Sequence, residues 1–255
     1  MNEIILLSLL FFGVAVLYSS VGFGGGSSYL AILVLAGVDL FLMRSTALMC
    51  NIIVVSGGTY LFIKGGHLNF KQAFILAGLS VPFAFMGGYL PLNAKFIFVL
   101  LGFTLFIASV LLLINKTDIT ATKSKLKNKK SIKATATIGT FIGFISGMVG
   151  IGGGIFLSPV LHFMKWDTSK KIAAMASFFI LCNSTAGLAG QWLQNSIYVD
   201  IMWSWPLLIA VFAGGQIGSR LAIKKFNHQT IRKLTGLVIL LASFKILNDH
   251  LLNLV

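Results

Sequence analysis

An all-α, polytopic membrane fold made of two inverted repeats, each a broken-helix or re-entrant hairpin plus three spanning helices, is what this sequence predicts. Three observations carry that expectation. Hydrophobic residues make up 57% of the 255 positions and charged ones only 10%, with a mean hydropathy of +0.93; soluble chains run near 25% charged, so much of this apolar surface has to face lipid. The hexapeptide Val21-Gly22-Phe23-Gly24-Gly25-Gly26 returns 128 residues later as Val149-Gly150-Ile151-Gly152-Gly153-Gly154. The basic residues sort onto one side of a membrane only if the two halves are inverted.

The first half, residues 1–114, opens on the apolar run 4–21. Its leading Met1-Asn2-Glu3 has no positive side chain and Gly22 to Gly26 is no A-x-A cleavage site, so the run reads as part of the mature protein. The glycines break the helix, because glycine carries the largest backbone entropy and admits conformations closed to other residues. A short apolar run of about ten residues follows and is closed by Asp39. Runs 47–63, 73–90 and 96–114 are then long enough for a bilayer core of about 30 Å, which takes about 20 helical residues. Residues 115–133, with seven lysines, form the only linker-like segment. The second half, 134–255, repeats the order: glycine break, short run, Asp167, and spans at 172–190, 201–223 and 234–247. Gly87-Gly88 is matched with Gly214-Gly215, and Cys50-Asn51 with Cys182-Asn183 at a spacing of 132.

Loop charges choose between two topologies. If the first run of each half crosses fully, the repeats are parallel and the 20 Lys and Arg divide ten to ten. If it pairs with the short run as a hairpin, loops 64–71, 115–133, 165–171 and 220–233 share the cytoplasmic side and hold 17 of the 20, leaving Arg44, Lys95 and Lys245 outside. Loop 191–200, free of Lys and Arg, is then external. Cytoplasmic enrichment of Lys and Arg favours the hairpin. The same clustering explains the net charge of +14 without nucleic acid as a partner; lipid and a small solute are the partners expected.

Two broken helices in matching positions of two halves are the best sequence pointer to a transporter's substrate site. Each short helix would present unpaired N–H groups and a partial positive charge, making an anion site without a buried Lys or Arg. The candidate substrate-contacting residues are therefore Gly24, Gly25, Gly26, Ser27 and Ser28 in the first half and Gly152, Gly153 and Gly154 in the second. Asn51 and Asn183 are amides inside apolar helices, which either bridge neighbouring helices or contact substrate. Cys50 and Cys182 adjoin them, as small buried hydrophobes or as partners for a sulfur compound. Ser177 is a further candidate, with hydroxyls that can also bond back to their own helix.

The six acids, Glu3, Asp39, Asp118, Asp167, Asp200 and Asp249, all fall near helix boundaries, so carboxylate-based cation coupling has no mid-span residue to use. Asp39 and Asp167 are expected to serve as caps or local ion pairs. The four histidines do not cluster, and no metal site is expected. Gly22-x-Gly24-x-x-Ser27 fails G-x-G-x-x-G at its third glycine and no G-K-[ST] follows, so nucleotide cofactors and ATP-driven transport are unsupported. No cofactor and no enzymatic activity are expected.

The paired V-G-x-G-G-G motifs, Arg44-Ser-Thr-Ala-Leu-x-x-Asn51 and Phe179-Ile-Leu-Cys-Asn-Ser-Thr-Ala-Gly-Leu-Ala-Gly190 together resemble the sulfite exporter TauE/SafE family, also called the toluenesulfonate uptake permease family. The resemblance covers nearly the whole chain except the basic connector and the last few residues. It implies an inner-membrane secondary transporter for a small sulfur-containing anion such as sulfite, thiosulfate or an organosulfonate. It leaves direction, a coupling ion (H+ or Na+) and oligomeric state open. Two other readings stand beside it: a passive channel for small anions or neutral solutes on the same broken helices, and a membrane factor acting on a sulfur compound through its two thiols.

Overall fold

The computed structural model of the protein describes residues 2–20, 22–114, 131–164, 166–195, 197, 200–221 and 228–252. Among the described residues ten α-helices follow in order: α1 (Asn2–Ser19), α2 (Gly26–Leu35), α3 (Leu40–Lys64), α4 (Phe70–Tyr89), α5 (Ala94–Ile114), α6 (Ser131–Val149), α7 (Gly154–Phe163), α8 (Ser169–Leu193), α9 (Ile201–Leu221) and α10 (His228–Leu247), which runs into a π-helical turn at Asn248–Leu252. There is no strand among the described residues. The expected all-α membrane fold is present. Helices α3, α4, α5 and α8 are both long and apolar enough to cross a bilayer, and α9 and α10 have comparable length. Most of the basic connector and residues 222–227 of loop 220–233 lie outside the described residues, and 228–233 belong to α10.

Local chemistry sets the breaks. Helix α1 stops at Ser19, Gly22 has φ +83°, and Gly25 caps α2 at φ +91° without any side-chain bond to the new helix. The second half repeats this at Gly150 (φ +89°), Gly152 (φ +80°) and Gly153 (φ +79°), where α7 begins. These are left-handed conformations that cost an L side chain but not glycine. Helix α2 ends in a Schellman arrangement: Gly37, at φ +70°, donates to Val34 and Val38 donates to Leu33. Asp39 then caps α3, its Oδ1 accepting from the amides of Phe41 (2.9 Å) and Leu42 (3.2 Å). At the matching turn Asp167 pairs with Lys171 at 3.1 Å. Both acids thus act as local ties, Asp39 by opening the next helix.

The strongest packing joins the halves to each other. Along α6, Gly139, Gly143 and Gly147 meet Leu76, Ser80 and Ala84 of α4, advancing four residues at a time, so these helices run parallel with their backbones nearly touching. Gly214 and Gly218 of α9 meet the Phe12 and Val16 carbonyls of α1 in the same way. Small residues permit such approach where lipid removes the hydrophobic drive between helices. In contrast α3 and α8 are antiparallel, because Ser45 meets Gln191 at one end (3.3 Å) and Thr59 meets Ser177 at the other (3.0 Å). So are α5 and α10, where Gly102 abuts Leu247 and Gly236 abuts Leu113. The Gly87 contact, on Phe144 and Met148, corresponds to that of Gly218 rather than Gly214, so the sequence pairing of the diglycines is off by one turn.

Helices α3 and α8 are both 25 residues long and begin 129 residues apart, after the caps Asp39 and Thr168. Helix α3 begins seven residues before the apolar run that announced it. Arg44, placed by sequence in an external loop, is therefore inside the helix and only 3% exposed. The charge rule reads an isolated Arg as loop, whereas the cap at Asp39 commits the chain to helix before Arg44 is reached. The exposed apolar residues, such as Phe74 (62%), Phe103 (49%) and Leu241 (67%), form the lipid-facing surface, and Trp192 (71% exposed), near one helix end, suits an interfacial belt.

Three stability measurements check this packing and the α3 cap. Gly147→Ala puts a methyl onto the Ala84 carbonyl and is expected to destabilise detergent-solubilised protein by about 1–3 kcal/mol. Gly13→Ala, whose methyl meets nothing within 4 Å, is expected to be neutral or to gain up to about 1 kcal/mol; equal effects would contradict a close α4–α6 contact. Asp39→Ala is expected to cost about 1 kcal/mol through loss of the α3 cap, read as a lowered melting temperature.

Candidate functional site

The two glycine breaks come together against α3 and α8. Asn51, fully buried on α3, donates from Nδ2 to the Ile151 carbonyl at 2.9 Å, reaching across from the first half to the break of the second. The same amide fills the space where a Cβ on Gly24 or Gly26 would stand, and its Nδ2 lies 2.8 Å from the corresponding position on Gly152. From the other side Ile180 of α8 stands 3.2 Å from those positions on Gly24 and Gly152, and against Gly154. Gly24, Gly26, Gly152 and Gly154 thus surround one spot held between Asn51 and Ile180. Any side chain on these glycines would occupy it.

The spot is polar and under-satisfied. The amides of Gly24, Gly25, Gly26 and Ser27, and of Gly152, Gly153, Gly154 and Ile155, are not donors to any described backbone carbonyl outside the helices, as expected for first-turn N–H groups. Asn51 Oδ1 has no partner, nor have the Ser184 hydroxyl beside Gly152 and the Tyr29 hydroxyl beside Gly25. All three side chains are fully buried. Buried polar atoms are normally bonded, so three orphans around two helix starts mark this spot out. Each helix start adds roughly half a positive charge, and no acid lies among these residues. Phe11 stacks on Tyr29 with centroids 4.6 Å apart, which fixes α2 against α1. No described group of His, Cys, Asp and Glu is arranged to hold a metal ion.

The remaining sequence candidates divide. Ser27 and Ser28 are buried at the start of α2, and Ser28 Oγ bonds the Tyr18 hydroxyl at 2.6 Å. Ser177, three residues before Ile180 on α8, is bonded instead to Thr59 and to the Val55 carbonyl at 3.4 Å. Asn183 is not at the spot: its Oδ1 accepts from Ser80 of α4 at 2.7 Å and its Nδ2 donates to Phe179 of its own helix at 3.0 Å. That is an interhelical tie. Cys50 packs in an apolar core that draws on both halves, and Cys182 is half-buried elsewhere on α8.

The reason lies in register. The offset of 129 between α3 and α8 matches Asn51 with Ile180, and both touch the same glycines. It likewise matches Arg44, which lies against Gly150, with Ala173, which lies against Gly22. The repeated Cys-Asn dipeptide, at 132, is three residues out of step. Arg44, Tyr29 and Ser184 are the residues that sequence reasoning missed as site candidates. Arg44 and Ser184 stood within quoted motifs, and the Asp39 cap was the signal that Arg44 is helical.

The sulfite exporter TauE/SafE family profile matches residues 7–246. The chain is similar to the probable membrane transporter protein y4hK of Sinorhizobium fredii, at 31% identity over 96% of this chain and 99% of that one. It is also similar to the probable membrane transporter protein YjnA of Bacillus subtilis, at 25% identity over 97% and 100%, and to MJ0441 of Methanocaldococcus jannaschii, a probable membrane transporter protein, at 24% over 61% and 60%. No solved structure matches the chain. With the profile spanning all ten helices and a relative above 30% identity matching almost end to end, the chain belongs to the sulfite exporter TauE/SafE family, a family of multi-pass membrane proteins.

Proposed function

We propose that this membrane transporter is a secondary carrier that moves a small sulfur-containing anion, such as sulfite, thiosulfate or an organosulfonate, across the inner membrane by alternating access around the N-termini of α2 and α7. The observation that carries the reading is the meeting of two glycine-capped helix starts at Asn51, with three buried polar atoms, Asn51 Oδ1, Ser184 Oγ and the Tyr29 hydroxyl, left unpartnered around them. Helix N-termini bind anions through aligned amides without a full counter-charge, which lets the anion leave again. The Asn51 Oδ1 acceptor adds a partner for an anion that still carries a proton. The sulfur chemistry comes from the family description alone.

The reading takes the halves, 1–114 and 134–255, as inverted repeats with the connector 115–133 cytoplasmic. Corresponding helices α3 and α8, and α5 and α10, run antiparallel, and α1 runs with α9 as α6 runs with α4. Those directions suit α1–α2 and α6–α7 as hairpins opening on opposite faces. Together with the 17-to-3 division of basic residues, they support loop 191–200 outside and 220–233 inside.

Four experiments test this. Proteoliposomes are expected to concentrate thiosulfate or sulfite under an ion gradient and to lose that ability when it collapses; gradient-independent equilibration alone would favour a channel. Gly25→Val and Gly153→Val are expected to abolish flux while the protein still assembles, because valine tolerates neither the positive φ nor the space. Asn51→Asp is expected to weaken anion binding more than Asn51→Ala, which removes a bond of about 0.5–1.5 kcal/mol, whereas Asn183→Ala is expected to lower stability and leave affinity near wild type. Impermeant labelling of single cysteines is expected to reach 191–200 from outside and 220–233 from inside, and cytoplasmic labelling of 191–200 would reject the inverted arrangement.

A further inference from the structure

Arg44 has no role in the crossing of the two helix starts, and its surroundings are unusual. It lies in the second turn of α3, 3% exposed, with its Cβ and Cγ 3.2–3.3 Å from where a side chain on Gly150 would begin. Its neighbours on α3 fix the place in the fold: Ser45 donates to Gln191 near the C-terminus of α8 (3.3 Å) and Thr46 meets Ser204 of α9 (3.5 Å). Arg44 therefore sits where α3, the α6–α7 break and the ends of α8 and α9 converge, two turns along α3 from Asn51.

A guanidinium in such a place needs a counter-charge, since an unpaired buried cation is among the costliest groups to take out of water. The described residues supply none. Among the described residues the one ion pair is Lys171–Asp167, Asp39 spends its carboxylate on the α3 cap, and Asp200 accepts from the Trp203 amide. Arg44 Nε and Nη2 are both buried and without partners. These two atoms form one edge of the guanidinium, the edge that takes two oxygens of a single oxyanion side-on. Ala173, which occupies the matching position against Gly22, carries no charge, so the arrangement has no twin in the other half.

We propose that Arg44 forms a second, outer anion site that takes a sulfur oxyanion or sulfonate bidentately by its Nε–Nη2 edge before the anion reaches the crossing at Asn51. The proposal rests on the anion-transport reading above, which puts this end of α3 outside. Two consequences follow from the chemistry. A two-oxygen fit favours oxyanions over a spherical halide, and a charge at one mouth only makes the two faces of the carrier unequal in affinity.

The test uses full-length protein, thiosulfate and chloride as probes, with Arg44→Gln and Arg44→Lys beside Asn51→Asp. Arg44→Gln is expected to bind thiosulfate about thirtyfold more weakly, roughly 2 kcal/mol. Arg44→Lys, which keeps the charge and loses the fork, is expected to regain part of the affinity and to lose the preference for thiosulfate over chloride. In the wild type, thiosulfate is expected to slow phenylglyoxal modification of the peptide carrying Arg44, a readout that holds even if Arg44→Gln does not fold. These protections are expected in phosphatidylcholine vesicles; protection that appears only with phosphatidylglycerol would assign the counter-charge to a lipid headgroup and overturn the proposal. Unchanged thiosulfate affinity in Arg44→Gln alongside a loss in Asn51→Asp would overturn the Arg44 site and leave the crossing standing. Failure of the wild type to bind any anion at either place would remove both.

Discussion

Everything in this fold depends on how it shelters backbone that has come unwound at membrane depth. In hydrocarbon an amide or carbonyl without a partner is costly, so irregular chain survives only where protein surrounds it or where it lines a polar space. Here the breaks at Gly22–Gly25 and Gly150–Gly153 are enclosed by α3 and α8, the two longest helices. The Asn51 amide does the most direct part of that work by holding the Ile151 carbonyl. Because it reaches from one half to the break of the other, neither break is sheltered by its own half alone.

That reciprocity also explains the distribution of polarity. The interface of α3 and α8 carries a succession of buried polar contacts, from Ser45–Gln191 at one end through Ser184 beside Gly152 to Thr59–Ser177 at the other. The outward surfaces of α4, α5 and α10 are apolar. A helix pair that is polar inside and lies within an apolar shell is the expected architecture where a charged solute has to cross without meeting lipid.

Much of this was legible in the sequence. The glycine breaks, the short helices and the Asp39 cap all follow from local residue chemistry, which neighbouring positions decide. What was not legible depends on rotation about a helix axis. Three residues separate the Cys-Asn offset of 132 from the structural offset of 129, which is about 300° of turn and 4.5 Å of rise. That is enough to carry Asn183 from the glycines to Ser80 and to bring Ile180 in its place. Arg44 was misplaced for a related reason. A rule built on charge cannot distinguish a solvated arginine from one that a helix cap, five residues earlier, has committed to the interior.

The glycine rail along α6 has a mechanical consequence. With Gly143 and Gly147 set against the backbone of α4, and Gly214 and Gly218 against that of α1, each of these pairs is locked main chain to main chain and has little side-chain padding to absorb a shear. Each pair also takes one helix from each half of the polypeptide. A hinge that separated residues 1–114 from residues 134–255 would have to tear both pairs open. The tightest main-chain contacts of this protein are therefore chimeric, α1 with α9 and α4 with α6, whereas the α3–α8 crossing is held by side-chain hydrogen bonds.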